Sequence, residues 1–153
     1  MRRSGKHEGT IQLQEAVLLA EDSQLVGGSF IIDMHSIAVT DIPKHEPIPR
    51  KRLRDHLKSD DFFDVQTYPI SSFEITSIEQ LSADSLDIHG NLTIKDITKN
   101  ISFTALQEKH QISTSFTFDR FEWNIAYEGS WIDRTLVDRD IELTIQLKIK
   151  NYF

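Results

Sequence analysis

The sequence predicts an all-β fold in which an antiparallel sheet closes into a barrel or packs as a sandwich, with one short helix between strands. Apolar and polar residues alternate with a period of two through most of the 153-residue chain, as they do in strands with one buried face. Polar turns separate these segments at the spacing of hairpins. A barrel or a sandwich would cover the apolar face that such a sheet presents.

Composition limits the classes of function. The length fits a single domain over residues 1–153, and the absence of cysteine excludes disulfides and thiolate metal sites. The net charge of −7 disfavours nucleic acid as a partner. No apolar run reaches the roughly 20 residues that span a bilayer, so we expect no integral membrane segment. The basic N-terminus leads into no apolar stretch, which predicts a cytoplasmic protein as written, or a periplasmic or secreted one if a leader precedes it.

Two strands are predicted first, joined by a polar turn. Gly9–Leu19 alternates at Ile11, Leu13, Val17 and Leu19. Leu25–Ile37 follows it, with Gly27-Gly28 as a bulge or bend. In the second strand one face is apolar and comprises Phe30, Ile32 and Met34.

A proline-rich connector and the helix come next. Three prolines within Asp41–Arg50 exclude helix and central strand there, and Pro49–Ser59 then fits a helix with proline in its first turn. Leu53 and Leu57 lie four residues apart and should fix this helix to the sheet. The charged residues of the same segment should stay in water, namely Arg54, Asp55 and Lys58.

An aromatic cluster follows the helix. Phe62, Phe63 and Tyr68 lie close in sequence and end at Pro69. We expect them to cover one mouth of the barrel, as a plug or as a lid.

Five or six further strands complete the prediction. Turns are expected at Asp96–Lys99 and at Glu108–His110, with a longer polar loop over Glu128–Arg139 around Trp131. The predicted strands are Ile70–Leu81, Leu86–Lys95, Asn100–Gln107, Gln111–Asp119, the strand-like Phe121–Tyr127, and Ile141–Lys150.

Catalytic and metal-binding patterns are weak. The six histidines show no metal-ligand spacing. Asp33, His35 and Ser36 have the residue types of a triad, but Ser36 should face away from the other two. His89 should point to solvent, opposite Ile88. We therefore expect no enzymatic activity, and keep a hydrolase or isomerase of a hydrophobic substrate as the less favoured alternative.

Several short motifs follow one another along the chain in a characteristic order. They are Gly27-Gly28-Ser29-Phe30, the segment Ile32–Ile37, the long stretch from Arg54 to Phe73, and Gly90-Asn91-Leu92-Thr93-Ile94. In this order they resemble the YceI-like, polyisoprenoid-binding family over roughly residues 6–150. The resemblance implies a lipocalin-like antiparallel β-barrel that binds a long isoprenoid, quinone or fatty-acid-like molecule in an apolar channel, without a cofactor.

The expected channel is lined by the inward apolar residues of the strands and by the aromatic cluster. A structural or partner-binding barrel with a filled interior is the alternative, since a barrel of eight strands can be either filled or hollow. The expected lining residues are Phe30, Ile32, Phe62, Phe63, Phe73, Ile75, Leu86, Ile88, Leu92, Ile101, Phe103, Phe116, Phe118, Trp123 and Ile145.

The sequence departs from the family at its N-terminus. Family members carry one more strand and part of another before the segment that matches His7-Glu8-Gly9. A barrel short of a strand has an open edge. We expect a partner chain, such as a second copy in a homodimer, or a rearranged C-terminal strand to close this edge, unless the sequence simply starts late.

Overall fold

The computed structural model describes residues 8–42, 45–125 and 139–149. Its strands form one antiparallel sheet of seven strands in chain order, which curls into a half-barrel. This confirms the predicted antiparallel, lipocalin-like fold. The strands are β1 (Gly9–Glu21), β2 (Gln24–Val39), β3 (Ile70–Gln80), β4 (Ser85–Ile94), β5 (Ile97–Glu108), β6 (Gln111–Asp119) and β7 (Asp140–Lys148).

Alternation along each strand separates a buried inner face from a wet outer face. In the central strand β4, every second residue is buried, including Ile88 and Leu92, while Asp87 and His89 stay half-exposed. The edge strands differ, because β1 and β7 contain no fully buried residue. The core therefore lies against the middle of the sheet.

The helix α1 (Pro47–Lys58) begins two residues before the predicted start. Pro47 lies in its first turn, where proline needs no hydrogen bond and has a suitable φ. At the other end Ser59 leaves the helix with an extended backbone, and its N–H donates to the carbonyl of His56 at 3.1 Å.

Two cations and one leucine attach α1 to β2 and the core. Arg50 Nε donates to the carbonyl of Val39 at 2.8 Å, and Lys58 Nζ donates to the carbonyl of His35 at 2.8 Å. Leu57 packs against the core cluster. Lys58, which we expected to stay in water, remains partly exposed, and its ammonium also donates to a strand carbonyl. Leu53 is half-buried but does not belong to that core cluster.

The segment between α1 and β3 plugs one end of the half-barrel. Phe62 and Val65 are almost completely buried, and Phe62 shares a core cluster with Trp123 and Ile125. The indole Nε1 of Trp123 donates to the carbonyl of Leu92 in β4 at 3.1 Å. These contacts join the plug to the inner face of the sheet.

A buried arginine completes this closed end. Arg120 is fully buried, and its guanidinium lies 5.1 Å from the ring centre of Phe62 and 4.7 Å from that of Phe121. Its Nη1 also donates to the carbonyl of Ile125 at 2.8 Å. Aromatic faces and a carbonyl thus surround a charge that would otherwise be costly to bury.

The predicted strand Phe121–Tyr127 is wrong over the residues that the structure describes. Arg120–Trp123 is a 3-10 helix, and Asn124 has a left-handed backbone with φ of 55°. The spacing of two between the apolar Trp123 and Ile125 resembles that of a strand, but it arises because both side chains are buried in the plug. The rest of that segment and the predicted loop around Trp131 lie largely outside the described residues.

The predicted turn Asp96–Lys99 is also displaced. The turn between β4 and β5 consists of Lys95 and Asp96, and β5 already begins at Ile97. Lys95 takes a positive φ of 58° there, as tight hairpin turns require.

An ion pair joins β6 to the start of β7. Arg139 Nε lies 2.9 Å from both carboxylate oxygens of Asp119, and its Nη2 lies 2.6 Å from Oδ2. The same carboxylate accepts a hydrogen bond from the backbone N–H of Phe121 at 3.0 Å. The bond from Arg139 and the bond from this N–H hold the pKa of Asp119 below its usual value.

Phe62→Ala should destabilise the fold strongly, because it empties the centre of the plug. We expect a loss of about 3–5 kcal/mol in the free energy of unfolding, measured by urea denaturation. Ile48→Ala is the control, since Ile48 is 64% exposed. Equal stability of the two variants would contradict the assignment of Phe62 as a plug.

Asp119→Asn should remove a pH-dependent part of the stability. A carboxylate with a lowered folded pKa stabilises the fold above its unfolded pKa, and this stabilisation is lost as the pH falls through the folded value. Denaturation should therefore give a larger free energy of unfolding for wild type than for the variant at neutral pH. This difference should become smaller below about pH 4. Asp55→Asn, which removes the exposed pair with Arg54, should show little effect. A gap between Asp119→Asn and wild type that is unchanged at low pH would be inconsistent with this ion pair.

Candidate apolar ligand-binding groove

An apolar groove runs along the inner face of the half-barrel, with a cavity volume of about 80 Å³. All seven strands contribute to its wall. The lining residues are Leu13 and Leu18 of β1, Leu25, Phe30 and Ile32 of β2, Phe73 and Ile75 of β3, Ile88 and Leu92 of β4, Phe103 and Ala105 of β5, Ile112, Thr114 and Phe116 of β6, and Leu143, Ile145 and Leu147 of β7.

Four phenylalanines form a ladder across the floor of the groove. The ring centres of Phe30 and Phe73 are 6.2 Å apart, and those of Phe73 and Phe103 are 5.5 Å apart. Phe103 and Phe116 stack with centres 4.6 Å apart and planes at 8°. Such pairs stabilise beyond the area that they bury, so the ladder joins strands β2, β3, β5 and β6.

Gly90 in β4 makes the ladder possible. A Cβ at this position would lie 2.3 Å from Cζ of Phe73 and 2.7 Å from the carbonyl oxygen of Glu74. Without a side chain there, the ring of Phe73 lies across β4 and reaches Phe103 of the next strand. The role of Gly90 is therefore spatial rather than conformational.

The groove offers hydrocarbon contact and almost no polar chemistry. Of the described lining residues, Thr114 carries a hydroxyl, and this hydroxyl donates to the carbonyl of Thr104 at 2.8 Å. A ligand would therefore be recognised by its shape and apolar surface. The absence of charge in the lining favours an apolar chain over a compact polar metabolite.

Within residues 8–42, 45–125 and 139–149, no strand covers the long side of the groove between β1 and β7. The wall residue Leu13 of β1 is 41% exposed, whereas the exposed Val17 and Leu19 pair with Ser29 and Gly27 and lie outside the groove wall. The inward residues of β7 are half-buried. Among the described strands, β1 pairs with β2 and β7 pairs with β6, and the two edges do not meet.

The structure brings most of the predicted lining residues together but not all. Phe62, Phe63, Phe118 and Trp123 pack at the closed end instead, and Leu86 and Ile101 pack in the core outside the groove wall. The predicted residues that do lie in the wall are Phe30, Ile32, Phe73, Ile75, Ile88, Leu92, Phe103, Phe116 and Ile145.

Sequence reasoning missed other wall residues. They come mainly from the edge strands and from the end of the sheet opposite the plug. The alternation along each strand, which places them on its inner face, could have identified them. These residues are Leu13, Leu18, Leu25, Ala105, Ile112, Thr114, Leu143 and Leu147.

The candidate acid and base groups do not converge in the groove. His89 lies on the outer face and its Nε2 is 3.1 Å from Oδ2 of Asp87. The carboxylate of Asp33 accepts from the backbone N–H of His35 at 3.0 Å, and the Ser36 hydroxyl donates to the Asp33 carbonyl at 2.6 Å. These bonds stabilise a bulge in β2 and do not form a proton relay.

Metal-binding and membrane-spanning features were sought in the same residues. Within 8–42, 45–125 and 139–149, no three His, Asp or Glu side chains are grouped closely enough to hold a metal ion. In the described part of the chain, no helix has the length and apolarity needed to cross a membrane.

A sequence profile of the YceI-like domain matches residues 1–149. The chain belongs to the YceI-like family. Solved structures with low sequence identity share its fold. The Campylobacter jejuni YCEI protein has a TM-score of 0.69 and 18% identity, covering 97% of this chain and 88% of that one. Burkholderia cenocepacia BcnA has a TM-score of 0.70 and 20% identity, covering 87% of this chain and 81% of that one.

Curated relatives match over a shorter segment. A UPF0312 protein of Azotobacter vinelandii is 36% identical over 50 residues, which are 33% of this chain and 26% of the relative. A UPF0312 protein of Pseudomonas aeruginosa is 42% identical over 50 residues, with the same coverage. The match thus spans about a quarter of the length of these relatives.

Gly90→Ala should disrupt the phenylalanine ladder. The added methyl group collides with Phe73 and with backbone, so we expect a loss of about 1–3 kcal/mol in unfolding free energy and an altered near-UV circular dichroism spectrum. Gly27→Ala is the matched control, because a Cβ there meets Leu19 at 3.5 Å, an ordinary contact. If both variants matched wild type, the ladder would not depend on Gly90.

Proposed function

We propose that this YceI-like chain binds a long apolar chain, an isoprenoid or a related amphiphilic lipid, in the groove, without catalysis. The observation that carries the proposal is the continuous apolar wall drawn from all seven strands, with the phenylalanine ladder as its floor. A flexible hydrocarbon can follow such an elongated surface. A quinone tail or a fatty-acid-like chain would satisfy the same contacts.

Hydrophobic burial can provide the affinity. At about 0.8 kcal/mol for each buried CH₂, ten methylenes contribute roughly 8 kcal/mol. This is comparable with the cost of immobilising the ligand, so a longer chain would bind with net affinity. The wall has no charged group, and selection would therefore depend on chain length and shape.

The proposed role needs neither a cofactor nor a metal. General acid–base catalysis requires titratable groups within reach of a bound substrate. His89 and Asp87 pair on the outer face. The Asp33 carboxylate accepts a hydrogen bond from the backbone N–H of His35, in the part of β2 that lies beside β1 and Pro69. A hydrolase or isomerase therefore has less support than a binding protein.

A second candidate is a structural or partner-binding half-barrel with a filled interior. The observation that favours it is the cavity volume of about 80 Å³, which is below the roughly 300–1,000 Å³ of usual small-molecule sites. In this alternative, the only role of the apolar residues of β1 and β7 would be to contact another chain. Ligand uptake distinguishes the two candidates.

The open side of the groove needs a cover if a lipid is to be shielded from water. We propose that a second copy of the chain provides it, in a homodimer. The exposed wall residue Leu13 of β1 and the half-buried inward residues of β7 support this proposal.

Phe103→Asp should lower uptake of a fluorescent polyprenyl analogue at least tenfold, because it places an unpaired carboxylate in the groove wall. Ile88→Asp should act alike. The matched control is Ser102→Asp, one residue away on the exposed outer face, which should bind as wild type does. Fluorescence titration gives the dissociation constant of each variant.

Far-UV circular dichroism must show that the variants remain folded. Phe116→Ala offers a milder change in the same wall and should weaken uptake while keeping the strands. Uptake that is equal in wild type and in all folded wall variants would refute the lipid-binding proposal and leave the filled barrel.

A further inference from the structure

The neighbouring strands β5 and β6 are paired along only part of their lengths. Both strands are described in full, and their backbone pairing joins Ala105–Glu108 to Gln111–Thr114. However, β5 already begins at Ile97, and β6 runs on to Asp119. The pairs β4–β5 and β6–β7 continue over almost their whole lengths. The sheet therefore has a slit between β5 and β6, on the plug side of the paired residues.

Contacts fix the two ends of this slit. Where the pairing stops, the Thr114 hydroxyl donates to the carbonyl of Thr104 at 2.8 Å. At the plug end, the ring of Phe118 packs edge-on against Trp123 with centres 5.3 Å apart. The Trp123 indole in turn donates to the carbonyl of Leu92 in β4, so the end of β6 is held to the centre of the sheet. Between these contacts the slit spans about four residues, or roughly 13 Å.

One aromatic stack closes the inner side of the slit. If the register of the paired residues continues, Phe103 lies opposite Phe116, and these are the two rings that stack at 4.6 Å. Both rings belong to the groove wall. Side-chain rotation can separate two rings without breaking a backbone pair. The slit can therefore open toward the groove while the sheet stays intact.

Hydroxyl groups line the outer side of the slit. Alternation places Ser102 and Thr104 of β5 on the outer face, and Ser115 and Thr117 of β6 opposite them. All four residues are exposed, and none of them is charged. The slit thus has aromatic side chains on its inner side and hydroxyls on its outer side, as the junction between an apolar chain and a polar head would require.

The groove and the outer surface meet at the start of the slit. A depression of about 440 Å³ on the outer face is bordered by Thr104, Ser115 and Thr144, among others. Ala105 and Thr114 border this depression and also line the inner groove. Both sides of the wall are thus reached at the last paired residues of β5 and β6.

We propose that the slit binds the polar head of the apolar ligand, and that this head is uncharged, with hydroxyl or carbonyl oxygens. The chain lies in the groove, the rings of Phe103 and Phe116 separate, and the head reaches the four hydroxyls from the groove side. This proposal rests on the proposed function, because it requires a chain in the groove. It adds a site that selects the chemistry of the head, which the apolar wall cannot do.

The chemistry of the slit favours an uncharged head. A hydroxyl both donates and accepts hydrogen bonds, so serine and threonine can bind an alcohol or a carbonyl. A phosphate or carboxylate would lose water there without gaining a cation from the four hydroxyl residues. The guanidinium of Arg139 at the plug end is already bound by Asp119. The net charge of −7 adds a general repulsion of anions.

Three probes with one polyprenyl chain test this selection. Each carries the same fluorescent label at the far end of the chain, and the near end is a plain hydrocarbon, an alcohol or a phosphate. Fluorescence titration of the wild-type chain should give about fivefold tighter binding for the alcohol than for the hydrocarbon. The phosphate should bind no more tightly than the hydrocarbon.

Removal of hydroxyls from the slit should abolish the preference for the alcohol. The double variant Thr104→Val with Thr117→Val keeps the side-chain shape, so it should bind the alcohol as weakly as the hydrocarbon and leave hydrocarbon binding unchanged. The matched control is Thr93→Val with Thr98→Val, which removes a hydroxyl pair 2.7 Å apart near the turn between β4 and β5. This control should keep the fivefold preference.

A cation placed at the slit should reverse the selection. Thr117→Lys should tighten binding of the phosphate probe at least tenfold, whereas Thr98→Lys, an exposed threonine near the turn between β4 and β5, should not. Equal binding of alcohol and hydrocarbon by wild type, or an alcohol preference that survives in Thr104→Val with Thr117→Val, would overturn the slit as a head site. In both cases hydrocarbon binding would leave the groove proposal standing. Absence of binding for all three probes would overturn both proposals.

Discussion

The apolar inner face of a curled sheet must be covered, and the rest of this structure depends on how each part of it is covered. At one end, Phe62 and Trp123 fill the space between the sheet, α1 and the 3-10 helix. Across the middle, the ring of Phe73 crosses the gap that Gly90 leaves in β4. Between β1 and β7 the described residues supply no cover, and this side is where the proposed ligand would enter the groove.

Polar groups reinforce the closed end and leave the groove uncharged. The buried Arg120 lies against two aromatic rings and a carbonyl, and Asp119 binds Arg139 at the start of β7. Among the described residues, the fully buried charge of Arg120 thus lies at the closed end. The opposite half of the inner face is left to hydrocarbon, as a site for an apolar chain requires.

Most of the fold could be predicted because each strand has one solvent-exposed face. This produces an unambiguous alternation of apolar and polar residues, as in Leu143, Thr144 and Ile145. The same rule failed after β6, since Trp123 and Ile125 alternate for a different reason: both fill the plug beyond a 3-10 turn. Alternation also shows which residues lie on the inner face, but it does not show whether each of them lies in the groove wall or at the closed end. For this reason Leu86 and Phe118 were expected in the groove wall, and the importance of Gly90, which has no side chain, was not recognised.

Native mass spectrometry of the purified protein shows directly whether the groove holds an apolar chain. If it does, the observed mass should exceed that of the polypeptide, organic extraction should release the excess as a lipid, and added polyprenyl analogue should restore it. The mass of the bare polypeptide, together with no uptake of polyprenyl or fatty-acyl probes, would rule out a lipid-binding groove.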